Sequence, residues 1–330
     1  MEDIREVEVL VEKSLQGDKL STARLISFVE RGDKRASYIL EKIYPHAGSA
    51  YYIGITGSPG TGKSTLLNRL VLKFCEDKYS VGVIAVDPSS PFTGGALLGD
   101  RIRMQLDHKK YDYFFRSMSA GRVLGGLSRT TKEAARIMDA SGRQIIIIET
   151  VGIGQSELDI AKATDTVLVI LTPDSGDGMQ MMKAGLMEIA DIFAVNKSDR
   201  PGAENMLLLL EGILDQKKQD SEKDNWRPQV YLTTASLNKG IEELYEGIWK
   251  HYHYLQQDKR LEKRRKTQFK KELQMQIERE FSRVLWETIF EEQSIDNLVD
   301  TVWPQRTDPQ AVAQRFVQKR LANRIAGKSK

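Results

Sequence analysis

The sequence predicts an α/β fold: a mostly parallel sheet with helices on both faces, flanked by helical extensions at the two ends. Three observations predict it. Seven short apolar or aromatic runs recur along the middle of the chain: Tyr51–Thr56, Val81–Val86, Tyr113–Arg116, Gln144–Ile148, Thr166–Leu171, Ile192–Val195 and Val230–Thr233. Most are separated by stretches of helical pattern, and several are apolar through both faces, as in strands of a doubly covered parallel sheet. A glycine-rich segment also follows the first run directly and opens a helix. Such an alternation carries its ligands at the carboxyl ends of the strands.

In chain order, residues 1–48 read as an N-terminal helical extension. Leu20, Ala23, Leu25, Ile26 and Val29 recur at roughly helical spacing, and Gly32 and the Pro45–Gly48 segment supply stops. Residues 49–255 hold the seven strands. Helical pattern returns from about Ile241, and residues 256–330 read as a C-terminal helical region. There a charged stretch from Asp258 to Lys266 leads into Phe269, Leu273, Ile277, Phe281 and Leu285, an apolar stripe at i, i+4 spacing.

Composition narrows the class. The 330 residues are 40% hydrophobic and 29% charged, enough apolar material for a packed core. A net charge of +3 is too balanced to point to nucleic acid. The single cysteine, Cys75, excludes an intrachain disulfide or a cysteine metal cluster and fits a reducing compartment. The acidic start Met1–Arg5 lacks the apolar core of a signal peptide, and no apolar run approaches the length of a membrane span. A cytoplasmic protein that engages neither membrane nor nucleic acid is the expectation.

The glycine-rich segment is Gly57-Ser58-Pro59-Gly60-Thr61-Gly62-Lys63-Ser64-Thr65, which matches G-x-x-x-x-G-K-[ST] between a strand and a helix, the context this phosphate loop requires. Gly57, Gly60 and Gly62 let backbone N–H groups close around phosphate oxygens without Cβ clashes. The helix that follows adds the positive end of its dipole. Lys63 is expected to bridge β- and γ-phosphates and Ser64 to place a hydroxyl on Mg²⁺. A glycine-rich turn with no ligand would explain neither the lysine nor the hydroxyl beside it.

The base is read by a second motif. Asn196-Lys197-Ser198-Asp199 gives N-K-x-D at the end of a strand. Asp199 can accept both the N1–H and N2–H₂ donors of guanine, whereas adenine would leave the carboxylate unpaired. Polar readout of this type discriminates by roughly 10⁴ or more. Asn196 is expected to tie the base loop to the phosphate loop, and the Lys197 stem to cover the ring. Thr234-Ala235-Ser236 ends a later strand and can supply a backbone N–H to guanine O6, in place of the more usual Ser-Ala-Lys.

Two carboxylates close apolar strands beside the phosphate loop. Asp87 closes the run from Val81 to Val86 and Glu149 closes Ile145–Ile148, the place of a metal-shell residue. Most GTPases carry Asp-x-x-Gly where this chain has Glu149-Thr150-Val151-Gly152. Gly152 can donate its N–H to a γ-phosphate and swing when that phosphate leaves. Asp100, in a glycine-rich switch-like segment, is a lesser candidate for the water or metal shell, with a capped loop aspartate as its plain alternative. Ile153 stands where many GTPases place a water-orienting glutamine, which predicts slow hydrolysis by the isolated chain.

With these pieces in order, the chain resembles the MeaB/ArgK family of metallochaperone-type P-loop GTPases, chaperones of adenosylcobalamin-dependent acyl-CoA mutases. The resemblance runs from about Ala23 to Gly247. It rests on the stretch from Val86 to Arg101 (VDPSSPFTGGALLGDR), that from Glu149 to Glu157 (ETVGIGQSE) and that from Pro173 to Gln180 (PDSGDGMQ). It implies that Lys63, Asp87, Asp100 and Glu149 belong to the nucleotide site. Gln155, Asp174, Asp177 and Lys183 would belong to switches that relay nucleotide state to the mutase. It further implies a chaperone that gates cofactor loading and protects or reactivates a mutase, and a homodimer formed largely through the C-terminal helices.

Two other classes compete. A small-molecule or protein kinase, or a transport-linked ATPase, would share the phosphate loop, but it has no use for a guanine-specific carboxylate. A carrier of nickel or another ion would call for a Cys pair or a His-rich tract, which the chain lacks. His251 and His253, two apart on a helix, point to different faces and make no metal pair. The basic run Lys259–Lys266 reads as a solvated helix face. Met179, Met181, Met182 and Cys75 read as packing residues.

Overall fold

The computed structural model describes residues 2–87, 107, 109–119, 129–150, 156–173, 185–219, 226–284, 286 and 292–327. They divide into two compact units, Met1–Arg264 and Arg265–Lys330.

The first unit opens with three helices, α1 (Glu2–Leu15), α2 (Lys19–Glu30) and α3 (Ala36–Ile43). Asp18 starts α2: its Oδ2 accepts from the Ser21 N–H at 2.7 Å, which satisfies one of the unpaired donors of the first turn, and hydrogen bonds from the Ser21 side chain and backbone hold the carboxyl below its usual range. Leu25, Ile26 and Val29 are buried as the periodicity predicts, but Leu20 is exposed. The inward place belongs to Ser21 and Thr22, because the Thr22 hydroxyl finds partners in Ser14 Oγ at 2.9 Å and the Asp18 carbonyl at 2.8 Å.

Seven parallel strands follow, β1 (Tyr51–Thr56), β2 (Val81–Asp87), β3 (Tyr113–Ser119), β4 (Ile145–Glu149), β5 (Thr166–Leu171), β6 (Ile192–Val195) and β7 (Gln229–Leu232). They lie in the order β3-β2-β4-β1-β5-β6-β7. All seven fall where the apolar runs put them, with ends displaced by a few residues at most. Alternate side chains serve two separate cores. Ile53, Ile55, Ile145, Ile147, Leu168 and Ile170 face α4 (Lys63–Glu76) and the later helix Ile241–Gln256. Ile146, Ile148, Val167, Val169 and Leu171 face the other way, onto a core shared with α1–α3, with α5 (Arg129–Ala140) and with the helix Ala203–Gln219. Burial on both faces is why these strands read as nearly continuous apolar runs.

The remaining helices of this unit are the short α6 (Ser156–Asp159) and α7 (Leu186–Ile189), then α8 (Ala203–Gln219) and α9 (Ile241–Gln256). The helix α10 (Arg260–Val284) begins in it. Within the basic run Lys259–Lys266, Arg264 departs from a solvated face. Its guanidinium meets Asp191, just before β6, in two hydrogen bonds of 2.9 and 2.8 Å. The described residues of the second unit comprise the rest of α10, α11 (Glu292–Val302) and α12 (Pro309–Gly327). Phe269, Leu273, Ile277 and Phe281 are exposed along α10, and Leu285 lies outside the described residues. No described helix is long and apolar enough to cross a membrane.

Candidate nucleotide site

The phosphate loop leaves β1 at the centre of the sheet, with β4 on one side and β5 on the other. Gly57 and Gly62 adopt φ values of 145° and 88°. A Cβ on Gly57 would stand 2.1 Å from the Ile170 carbonyl oxygen, and one on Gly62 would stand 2.4 Å from Asn196 Nδ2. These two glycines are therefore needed for close approach as well as for backbone angle. Lys63, at the start of α4, is nearly buried, and its Nζ donates to the carbonyls of Gly57 at 2.8 Å and Ser58 at 3.0 Å. The ammonium is thus held over the mouth of its own loop. Thr61 Oγ1 donates to the Ser58 carbonyl at 2.9 Å and closes the turn, while Pro59, Gly60 and Thr65 are exposed.

Beside the lysine, the Ser64 hydroxyl donates to Glu149 Oε1 at 2.8 Å. Glu149 pairs in register with Ile55 of β1 and Ala85 of β2, which brings the carboxyl ends of three strands to one point. The carboxylate is 7% exposed, and the Thr150 hydroxyl next to it donates to Thr56 Oγ1 at 2.9 Å. Asp87 ends β2 two residues beyond Ala85, described as a backbone position only. A hydroxyl and a carboxylate oxygen in contact are hard donors of the kind Mg²⁺ takes, with phosphate and water completing its shell. The residues fit that ion. Among the described residues, no group of three or more His, Cys, Asp or Glu side chains converges to hold a metal without such help.

The base-reading residues are wired to the phosphate loop. Asn196 is 3% exposed, and its backbone N–H donates to the Leu171 carbonyl at 2.8 Å. Its Nδ2 donates to the Thr61 carbonyl at 2.8 Å, and its Oδ1 accepts from the Ala235 N–H at 3.1 Å and the Thr233 hydroxyl at 3.3 Å. Lys197 sits at φ 58° and its Nζ reaches the Gly60 carbonyl at 2.7 Å. Ser198 Oγ and Thr234 Oγ1 lie 3.0 Å apart, so the two base loops also touch directly. Asp199 is exposed at the rim, as is Ser236, and Ala235 is buried. The Ala235 N–H is engaged by Asn196, so a guanine O6 would share it or take the next N–H along.

The structure thus brings together Gly57 to Thr65, Glu149, Asn196 to Asp199 and Thr234 to Ser236. Asp100, Gly152, Gln155, Asp174, Asp177, Lys183 and the three methionines 179, 181 and 182 lie outside the described residues. Sequence reasoning missed Arg69, on the second turn of α4. Its Nε donates to the Ala235 carbonyl at 3.1 Å and an NH2 hydrogen to that of Ser236 at 3.4 Å. Nothing in its local pattern sets it apart from other helix cations. Away from this site, Cys75 packs in the core and burial pushes its thiol up to about 11. His253 is exposed and His251 buried, as opposite helix faces require.

Residues 22–289 match the family described as methylmalonyl-CoA mutase-associated GTPase MeaB. The chain is 47% identical over 267 residues to a protein of Pyrococcus abyssi that bears the name of a GTPase, covering 81% of this chain and 82% of the relative. It is 34% identical over 272 residues to the Escherichia coli GTPase ArgK, covering 80% and 82%. A solved structure of a LAO/AO transport system kinase superposes with a TM-score of 0.72 at 26% identity, covering 94% of this chain and 96% of that one.

Proposed function

This chain belongs to the family of methylmalonyl-CoA mutase-associated P-loop GTPases, and from that membership we propose that it hydrolyses GTP to gate cofactor loading, and to protect or reactivate, an adenosylcobalamin-dependent acyl-CoA mutase. The observation that carries the guanine reading is Asn196, whose amide joins the phosphate loop at Thr61 to the base loop at Ala235. A nucleotide spanning both loops meets a single connected frame.

In this reading Lys63 and the N–H groups of Gly57 to Thr65 bind the phosphates, and Asp199 accepts from the guanine edge. Ser64 and Glu149, with Asp87 at the neighbouring strand end, would hold Mg²⁺, which would supply neutralisation of phosphate charge. Lys63 stabilises charge developing on the bridging and terminal oxygens, and Gly152 and Asp100 order the γ-phosphate and the water. Ile153 offers no group to orient that water, so a partner accelerates the reaction by repositioning the switches that carry Gln155, Asp174, Asp177 and Lys183. The exposed stripe Phe269, Leu273, Ile277 and Phe281 supports a homodimer through α10.

The experiment is steady-state GTP hydrolysis, with ATP in parallel, with and without an adenosylcobalamin-dependent acyl-CoA mutase. Stimulation confined to GTP is the expected result. Equal use of ATP would favour the kinase or transport-ATPase alternative, and absence of stimulation by any such mutase would overturn the partner.

A further inference from the structure

The helix that leaves the phosphate loop also holds the third base loop. Leu66 and Leu70 of α4 are fully buried against the sheet, which fixes the backbone from which Arg69 projects. The guanidinium spans to the carbonyls of Ala235 and Ser236 at 3.1 and 3.4 Å. Glu76, Glu242 and Glu243 line the neighbouring groove of about 530 Å³ between α4 and the start of α9, where Glu242 pairs with Lys73 at 2.9 Å.

The two carbonyls matter because of what shares their peptide planes. In a trans peptide unit the C=O and the following N–H point in opposite directions, and no cis peptide occurs among the described residues. Fixing the Ala235 carbonyl therefore fixes the direction of the Ser236 N–H. The N–H of Ala235 is itself fixed by Asn196 Oδ1 at 3.1 Å. A cationic donor on the Ala235 carbonyl also polarises that peptide and strengthens its N–H as a donor. The rest of the loop is braced from within: Thr234 and Lys239 exchange backbone hydrogen bonds of 3.0 and 3.2 Å, and Leu237 N–H meets the Thr234 carbonyl at 3.0 Å.

We propose that Arg69 is a positioning residue for guanine recognition, holding the Ala235–Ser236 peptide so that its N–H, that of Ser236, meets O6 of the base. This rests on the guanine reading of the site. An N–H at that place donates to guanine O6 and opposes the N6 amino group of adenine, which is also a donor. Arg69 thereby couples the phosphate-binding helix to the choice of base without touching the nucleotide.

The test compares GDP with 6-thioguanosine diphosphate, which keeps the N1–H and N2 donors read by Asp199 and carries sulfur, a weak hydrogen-bond acceptor, in place of O6. Calorimetric titration of the full chain with each, in the presence of Mg²⁺, is repeated for Arg69→Gln and Arg69→Lys. Arg69→Gln is expected to weaken GDP about tenfold while changing the sulfur analogue less than about twofold, and Arg69→Lys to recover part of the loss. Equal weakening of both nucleotides would make Arg69 a structural brace only and overturn the proposal, as would no change in either. Failure of the guanine reading itself shows separately, in the unsubstituted chain, as equal affinity for GDP and ADP.

Discussion

Gly62 and Asn196 approach so closely that a Cβ on the glycine would stand 2.4 Å from the amide nitrogen of the asparagine. The phosphate loop and the base motif, 134 positions apart, therefore meet along a seam that only a residue without a side chain can form. Gly62→Ala combines two penalties. The φ of 88° strains an L side chain by about 1–2 kcal/mol, and displacing Asn196 forfeits a hydrogen bond to Thr61 of about 1 kcal/mol. The expected outcome is a GDP affinity at least about tenfold weaker and a lowered melting temperature, read by calorimetry and thermal denaturation. Undiminished GDP affinity would show that the seam does not serve the nucleotide.

Asp199→Asn exchanges an acceptor for a donor on the guanine edge. Xanthine carries a carbonyl where guanine carries the N2 amino group, so the variant should lose GDP by about 10² or more and gain xanthosine diphosphate. Competition between the two nucleotides measures the exchange. Retained preference for GDP would remove Asp199 from the base contact.

Lys63→Ala and Glu149→Gln separate charge on the phosphates from charge on the metal. The lysine variant should lose nearly all hydrolysis, because the loop keeps its glycines but not its cation. Glu149→Gln can still accept from Ser64 Oγ, which keeps the 2.8 Å contact possible while removing the negative charge. It should raise the Mg²⁺ concentration for half-maximal hydrolysis about tenfold, with Mg²⁺-free GDP binding little changed. A magnesium dependence identical to the parent would put Glu149 outside the metal shell.

The strands and the phosphate loop were legible for a shared reason: both are specified by neighbours in sequence. Ile145 to Ile148 are apolar on both sides because each side meets a core, and Gly57 and Gly62 announce positive φ by lacking a side chain. Arg69 and Arg264 were not legible. Each looks like any helix cation, and each is singled out only by a partner brought near by the fold: Ala235 lies 166 positions from Arg69, and Asp191 lies 73 from Arg264. Leu20 misled in the other direction. An apolar residue at helical spacing lost the inward place to Thr22, whose hydroxyl had partners waiting.

The cluster around Arg264 yields the last prediction. His251 is 1% exposed, and its Nδ1 lies 2.7 Å from Thr166 Oγ1, which is also hydrogen-bonded to the Tyr51 hydroxyl. Its Nε2 faces Asp191 Oδ1 at 3.4 Å, and Arg264 already neutralises that carboxylate through two hydrogen bonds. Burial is the largest influence on the imidazole and lowers its pKa to about 4, against the opposing pull of Asp191 and Asp165. The ring is therefore neutral in the fold, and its approach to Asp191 is not an ion pair. Between pH 6.5 and about 4 the unfolded chain binds a proton at this position that the folded chain refuses, so stability falls as pH drops through that window. From pH 7.5 to 5 the loss is on the order of 2 kcal/mol. Carboxylates held low by partners, such as Asp112 beside Lys19 and Arg143, lose their contribution only as pH falls through and below the ordinary carboxylate range, so they leave this interval clear. Denaturant unfolding at the two pH values, for the parent and for His251→Gln, isolates the effect as the difference between their slopes. The variant should be less stable at pH 7.5, having lost the fit to Thr166, yet lose less on acidification. Equal slopes in the two proteins would mean that His251 takes up its proton without leaving the folded state.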